Sequence, residues 1–149
     1  MRDDPPLPRT LAFLRRIWAM THAVQARSKR MERLHGVTGP QRFVLRVVGR
    51  FPGVSAGDLA RILELHPSTM TGILQRLEER ELLTRTTDPD DGRRFLFRLT
   101  DDGIRFDAER RGTIEAAVRR ALARLDDAEV KKAEKVLAVL VEELEREEA

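Results

Sequence analysis

The chain has no cysteine among its 149 residues, which excludes a disulfide framework, a thiol nucleophile, an iron–sulfur cluster and cysteine-based redox sensing. Long apolar runs are also missing. The longest, Val136 to Val141, is six residues, against the roughly 20 that a membrane-spanning helix requires. The opening Met1-Arg2-Asp3-Asp4-Pro5-Pro6 lacks the apolar centre of a secretory signal, so the expectation is a cytoplasmic protein with no membrane partner. The only histidines, His22, His35 and His66, fall on three different predicted elements without metal-ligand spacing. No glycine-rich phosphate loop, nucleophile elbow or supported carboxylate pair is present. Asp90-Asp91 and Asp101-Asp102 fall in a turn and a helix cap. Catalysis, a metal and a cofactor are therefore not expected.

Against these absences stand 41% hydrophobic and 36% charged residues with only 5% aromatics, the composition of a helix-rich protein with one core and much solvated surface. The net charge of +3 is unevenly spread: 24 basic and 16 acidic residues precede Asp126, and 4 and 9 lie from Asp126 onward. A polyanion-binding body with a repelled or partner-facing end gives such a split, and so do two solvated helices of different composition. Arginine supplies 24 of the 28 basic residues. Its planar fork suits phosphate and base-edge contacts, although a GC-rich coding sequence accounts for it equally well.

Apolar periodicity divides the chain. Leu11, Leu14, Trp18, Val24 and Met31, with Thr21 and Ser28 in intermediate slots, predict one helix from Pro8 to about Leu34. At about 40 Å it is too long to lie wholly over a small core, so part of its stripe needs a second chain. Thr38 and Gln41 are spaced for a capping box before a helix burying Phe43, Val44, Val47, Val48 and Phe51. Phe51-Pro52-Gly53 ends it. Ser55 to Asp58 caps a short helix with Leu59, Ile62 and Leu63 on its apolar face.

A helix from His66-Pro67-Ser68 to about Glu81 buries Met70, Ile73, Leu74 and Leu77. Its other face carries Ser68, Thr69, Thr71, Gly72, Gln75 and Arg76, with no carboxylate before Glu78, and so can approach a duplex without like-charge repulsion. An ordinary solvated face reads the same way. Residues 82–87 and 95–99 alternate with period two on either side of Asp88-Pro89-Asp90-Asp91-Gly92-Arg93, predicting a β-hairpin with an arginine-bearing tip. Taken alone, such a tip signals only a solvated turn. After a cap at Thr100 to Gly103, the residues Ile104 to Leu125 predict one long helix. Asp126 to Glu129 caps the last helix, whose stripe is Val130, Ala133, Leu137, Leu140, Val141 and Leu144 below an acidic outer face.

This order of elements resembles the MarR (multiple antibiotic resistance regulator) family of winged helix-turn-helix proteins. The resemblance is most specific from Leu82-Leu83-Thr84-Arg85 through Asp88-Pro89-Asp90-Asp91-Gly92-Arg93-Arg94 to Leu99-Thr100-Asp101-Asp102-Gly103, where an Asp-x-Arg is followed by Leu-Thr-x-x-Gly. It implies a mainly α fold with a small β-hairpin wing and long N- and C-terminal dimerisation helices. The implied divisions are a dimerisation helix at 1–35, a winged helix-turn-helix domain at 36–100 and C-terminal dimerisation helices at 101–149. It further implies a homodimeric repressor of transcription on a pseudopalindromic stretch of double-stranded DNA. On the matching residues, Ser68, Thr69, Thr71, Gln75 and Arg76 would meet the major groove. Arg93, held by Asp91, would enter the minor groove, with Arg94 on the phosphate backbone. A small anionic aromatic or phenolic effector would lie near Trp18, His22, Phe43 and Arg46, which residue by residue read equally as core, interface or solvated positions. The family usually has Gly where Glu81 stands, so either a left-handed residue is strained there or the helix exits differently.

Two other functions fit the composition: a winged-helix module that binds protein, and an activator without a small-molecule effector. Residues 36–100 carry 10 basic and 8 acidic groups, whereas 1–35 carry 8 and 3, so the segment expected to contact DNA is not the most positive one.

Overall fold

The computed structural model describes residues 6–146, which excludes Arg2, Pro5 and the terminal Glu147-Glu148. The described residues form seven helices and three strands: α1 (Arg9–His35), α2 (Gly39–Arg50), β1 (Val54–Ser55), α3 (Ala56–Ile62), α4 (Pro67–Glu79), β2 (Leu83–Thr87), β3 (Phe95–Leu99), α5 (Asp101–Ala108), α6 (Ile114–Leu122) and α7 (Asp127–Glu145). They fall into two compact units, one ending at Thr113 and one beginning at Ile114. Among the described residues no helix is long and apolar enough to cross a membrane.

Local chemistry sets most boundaries in the first unit. α1 ends at Gly36, whose φ of 73° is left-handed. Thr38 and Gln41 form the anticipated capping box of α2, and Ser55 accepts the Asp58 N–H at the start of α3. The core joins Val44, Leu45 and Val48 of α2 to Leu59 of α3, to Met70, Ile73, Leu74 and Leu77 of α4, and to Leu83 and Phe97 of the sheet. The face expected of α4 is therefore the buried one. Phe43 and Phe51, expected inside with the rest of α2, are instead 56% and 49% exposed, as is Ile62 of α3 at 44%. Arg42 takes the inward place on α2 at 2% exposure. Its guanidinium donates to the carbonyls of Phe106, Asp107 and Glu109 at 2.6, 3.3 and 2.5 Å, serving the C-terminal carbonyls that a helix leaves unsatisfied.

The sheet has the order β1-β3-β2 and is antiparallel throughout. Leu83 pairs with Leu99 and Thr87 with Phe95, while Val54 and Ser55 pair with Phe97 and Leu96. The expected hairpin is thus present, with a third strand too short to show a period in the sequence. At the end of α4, Glu81 has φ 57°, so the left-handed conformation is kept without glycine. Leu82 N–H reaches back to the Leu77 carbonyl at 3.0 Å, a helix-terminating bond spanning six residues. Gly103 lies against this exit: a methyl group there would overlap the Leu82 carbonyl oxygen.

The long helix expected from Ile104 to Leu125 is broken. α5 stops at Ala108, Gly112 takes φ 73°, and α6 starts at Ile114. The apolar period runs through the break, which is why the sequence reads as continuous. In the second unit α7 has the expected capping box between Asp126 and Glu129. Neither α6 nor α7 contains a buried residue.

Candidate nucleic-acid interface

The polar face of α4 is exposed along its length. Pro67 occupies the first turn, where its missing N–H loses nothing and its fixed φ suits a helix. His66 precedes it as the N-cap, its ring accepting the Ser68 N–H. Ser68, Thr69, Thr71, Gln75 and Arg76 are all exposed on the face opposite the core. Gly72 among them leaves open space, since a side chain added there would meet nothing. Thr71 Oγ1 donates back to the Pro67 carbonyl at 3.0 Å, which commits its hydrogen and leaves the oxygen as an acceptor. Gln75 Nε2 donates to Glu79 Oε1 at 3.1 Å, which fixes the orientation of its amide, since only the NH₂ can face a carboxylate. The carbonyl and the second N–H of Gln75 remain for other partners.

The turn between β2 and β3 is closed by hydrogen bonds of its own. Asp88 N–H donates to the Arg94 carbonyl at 2.8 Å, Arg94 N–H to the Asp91 carbonyl at 3.0 Å, and Asp90 N–H to Asp88 Oδ1 at 2.9 Å. Asp91 does hold Arg93, but through the main chain: its Oδ1 accepts the Arg93 N–H at 3.0 Å. The Arg93 side chain is exposed and makes no ion pair with another described residue.

Arg94 lies elsewhere. Its Nη2 donates to Asp58 Oδ2 at 2.5 Å and to Ser55 Oγ at 3.0 Å, and its Nε lies 3.8 Å from Asp88. The guanidinium that the family pattern puts on a phosphate thus joins the wing turn to the start of α3. Asp58 is held below the ordinary carboxylate range, chiefly by the Ser55 hydroxyl and then by Arg61, with the Arg94 charge adding to both. Ser55, Asp58, Asp91, Arg93, Arg94 and Phe95 line one open cleft of about 450 Å³ beside the wing. Nothing in the sequence ties Asp58 to Arg94 beyond opposite charge, so this anchor was not visible there. On the other strand, Arg85 lies over the Phe95 ring, 4.3 Å from its centroid, and pairs with Glu78 of α4 at 3.3 Å.

The four residues of the anticipated effector site lie on two helices. Trp18 and His22 are exposed on α1, Trp18 at 65%, and Phe43 is exposed on α2. Arg46, one turn after Phe43, is tied to Asp107 Oδ1 at 2.7 Å. Sequence reasoning missed both Arg42, which holds the carbonyls at the end of α5, and Asp107, which pairs with Arg46. An arginine in the apolar row of α2 was the only available signal.

Comparison with known proteins agrees with this architecture. Residues 35–94 match the family model described as the MarR family. The HTH-type transcriptional repressor MdtR of Bacillus subtilis is 32% identical over 114 residues, which span 76% of this chain and 73% of that protein. A Thauera aromatica relative linked by name to the hcr operon is 36% identical over 98 residues, 63% of this chain but only 57% of its own length. Among solved structures, the PcaV regulator of Streptomyces coelicolor in complex with its natural ligand is 28% identical with a TM-score of 0.67, covering 85% of this chain and 92% of that one. Sco3205 of the same organism, solved in complex with DNA, has a TM-score of 0.76 over 99% of this chain and 96% of that one. At 21% identity it is similar in fold alone.

Proposed function

Because the chain belongs to the MarR family and is a transcriptional regulator of that type rather than an enzyme, we propose that it represses transcription as a homodimer on a pseudopalindromic duplex. In this reading α4 enters the major groove through Ser68, Thr69, Thr71, Gln75 and Arg76, and Arg93 reaches the neighbouring minor groove. Arg94 acts from behind, by fixing the wing. The observation that carries the reading is the division of α4. Met70, Ile73, Leu74 and Leu77 are buried while the hydroxyls, amide and guanidinium of the opposite face are all exposed. Dimerisation is supported by large apolar side chains left in solvent on α1, among them Leu11, Phe13, Trp18, Met20 and Val24, and on α7, among them Leu137, Val141 and Leu144. Exposed apolar surface on this scale normally marks an interface.

Relief of repression is assigned to a small anionic aromatic or phenolic effector at Trp18, His22, Phe43 and Arg46. PcaV, solved with a natural ligand, supports an effector of some kind. Here an incoming carboxylate would compete with Asp107 for Arg46. The test is binding of the purified protein to duplexes from the DNA flanking its own coding region across a salt series. A steep fall of log affinity with log salt, about 0.9 per phosphate neutralised, is expected of a dimer. A monomer at micromolar concentration, or indifference to such duplexes at low ionic strength, overturns the reading.

A further inference from the structure

The residue that governs the Ser68 hydroxyl lies two positions earlier, just outside α4. His66 Nδ1 accepts the Ser68 backbone N–H at 3.2 Å, and Ser68 Oγ lies 2.6 Å from the same nitrogen. An N–H directed at Nδ1 requires a lone pair there, so in this arrangement the ring carries its hydrogen on Nε2. With that nitrogen accepting, the Ser68 hydroxyl donates to it, and its hydrogen is turned inward. Ser68 then offers only oxygen lone pairs to anything approaching α4.

We propose that His66 is a positioning residue that sets the hydrogen-bond polarity of Ser68 at the DNA surface, and that protonation of Nδ1 reverses this polarity. The inference rests on the reading of α4 as the groove-facing helix. With Nδ1 bare, Ser68 accepts from the exocyclic amines of cytosine or adenine and cannot donate to guanine O6 or N7, thymine O4 or a phosphate. When Nδ1 takes a proton from solvent, it donates to Ser68 Oγ, and the hydroxyl hydrogen swings outward. The Ser68 N–H loses its acceptor, and a cation stands at the positive end of the helix dipole. The surface then favours phosphates and acceptor edges over amines, which trades sequence discrimination for general affinity. Among the described residues the His66 ring has no ion-pair partner and no hydrogen bond other than those to Ser68, while its backbone carbonyl accepts the Met70 N–H, so no carboxylate or cation paired to the ring competes with this exchange.

Two measurements test the proposal. Long-range ¹⁵N–¹H correlation on the free, labelled protein at about pH 8 should show the His66 hydrogen on Nε2. The opposite tautomer overturns the proposal, whatever becomes of the DNA reading. The second measurement compares a duplex enriched from a random pool at about pH 8 with a shuffled duplex of equal composition. The affinity ratio of wild type should fall roughly threefold to tenfold on moving to about pH 5.8. It should hold steady in His66→Asn, whose side-chain oxygen caps the helix without titrating, and should be low at both pH values in Ser68→Ala. An unchanged wild-type ratio overturns the proposal, as does a ratio in His66→Asn that falls as the wild type does. If no duplex is enriched, the groove-facing reading fails and takes the proposal with it, and the tautomer measurement distinguishes that result from a fault in the His66 argument.

Discussion

The hydroxyl of Thr100 donates to the carbonyl of Glu81 at 2.5 Å, so the residue that caps α5 also latches the end of α4. The same threonine accepts the Gly103 N–H at 3.0 Å through its side chain and gives its own N–H to the Leu82 carbonyl at 3.1 Å. Glu81, at φ 57°, is thus held in a left-handed conformation from the far side of the hairpin. Glu81→Gly should raise stability by about 0.5–1 kcal/mol, because glycine adopts this backbone without the Cβ penalty. Thr100→Val should lower it by about 1–3 kcal/mol through loss of the cap and the latch, with Thr100→Ser close to wild type. Urea unfolding of the three variants gives both signs.

Gly103 has a different constraint. The space its side chain would need is filled by a backbone carbonyl, that of Leu82, which cannot rotate away. Gly103→Ala should therefore destabilise by roughly 2–4 kcal/mol, more than an alanine in the first turn of a helix would otherwise do. A thermal midpoint equal to wild type would show that α5 shifts to make room.

The two arginines of the wing should separate by kind of defect. Arg93→Ala should weaken binding to every duplex and reduce the salt slope by about 0.9, the share of one phosphate-type contact, with the thermal midpoint unchanged. Arg94→Ala should loosen the wing instead, seen as faster amide exchange at residues 88–94. A salt slope reduced by about 0.9 in Arg94→Ala and unchanged in Arg93→Ala would exchange their roles.

Asp58 supplies an acid limit. Its carboxyl is held below its usual range by Ser55, then Arg61, with Arg94 adding, so the folded state favours the charged form. The resulting stabilisation is fully present above the ordinary carboxylate value near 3.8 and disappears as pH falls through the lowered folded value. Asp58→Asn should be less stable than wild type at neutral pH and should lose less on acidification. Thermal midpoints from about pH 6 downward check the convergence of the two curves.

Glu79 is a carboxylate beside the row proposed to face the groove, bonded to Gln75. Glu79→Gln removes a charge that repels phosphate and should tighten binding to all duplexes severalfold, with the gain shrinking at high salt. An equal gain at every salt concentration would point to release of Gln75 instead.

How much of this was legible follows from where each interaction lies. Met70, Ile73, Leu74 and Leu77 announce α4 because a buried helix face repeats every three to four residues, and Thr38, Ser55, Thr100 and Asp126 announce helix starts because capping is local. The hairpin was legible for the same reason. The break at 109–113 was not, because it depends on the carbonyls taken by Arg42, more than sixty residues away in sequence. Phe43 and Arg42 exchange their expected places because periodicity alone cannot say which of two adjacent residues faces inward. Among the anticipated site residues, Ser68, Thr69, Thr71, Gln75 and Arg76 share one face because α4 is regular. The partners of Arg94 and Arg46 were hidden because both pairs are tertiary.

The pairing of Val54 and Ser55 with Phe97 and Leu96 fastens the outgoing limb of the wing to the chain just ahead of α3. A tilt imposed on the helix-turn-helix is therefore conveyed to the arginine tip, as a spoke follows its hub. On the proposed repressor reading, disengagement from an operator should accordingly be a single event, with protection vanishing from both grooves at one effector concentration and no half-released footprint between.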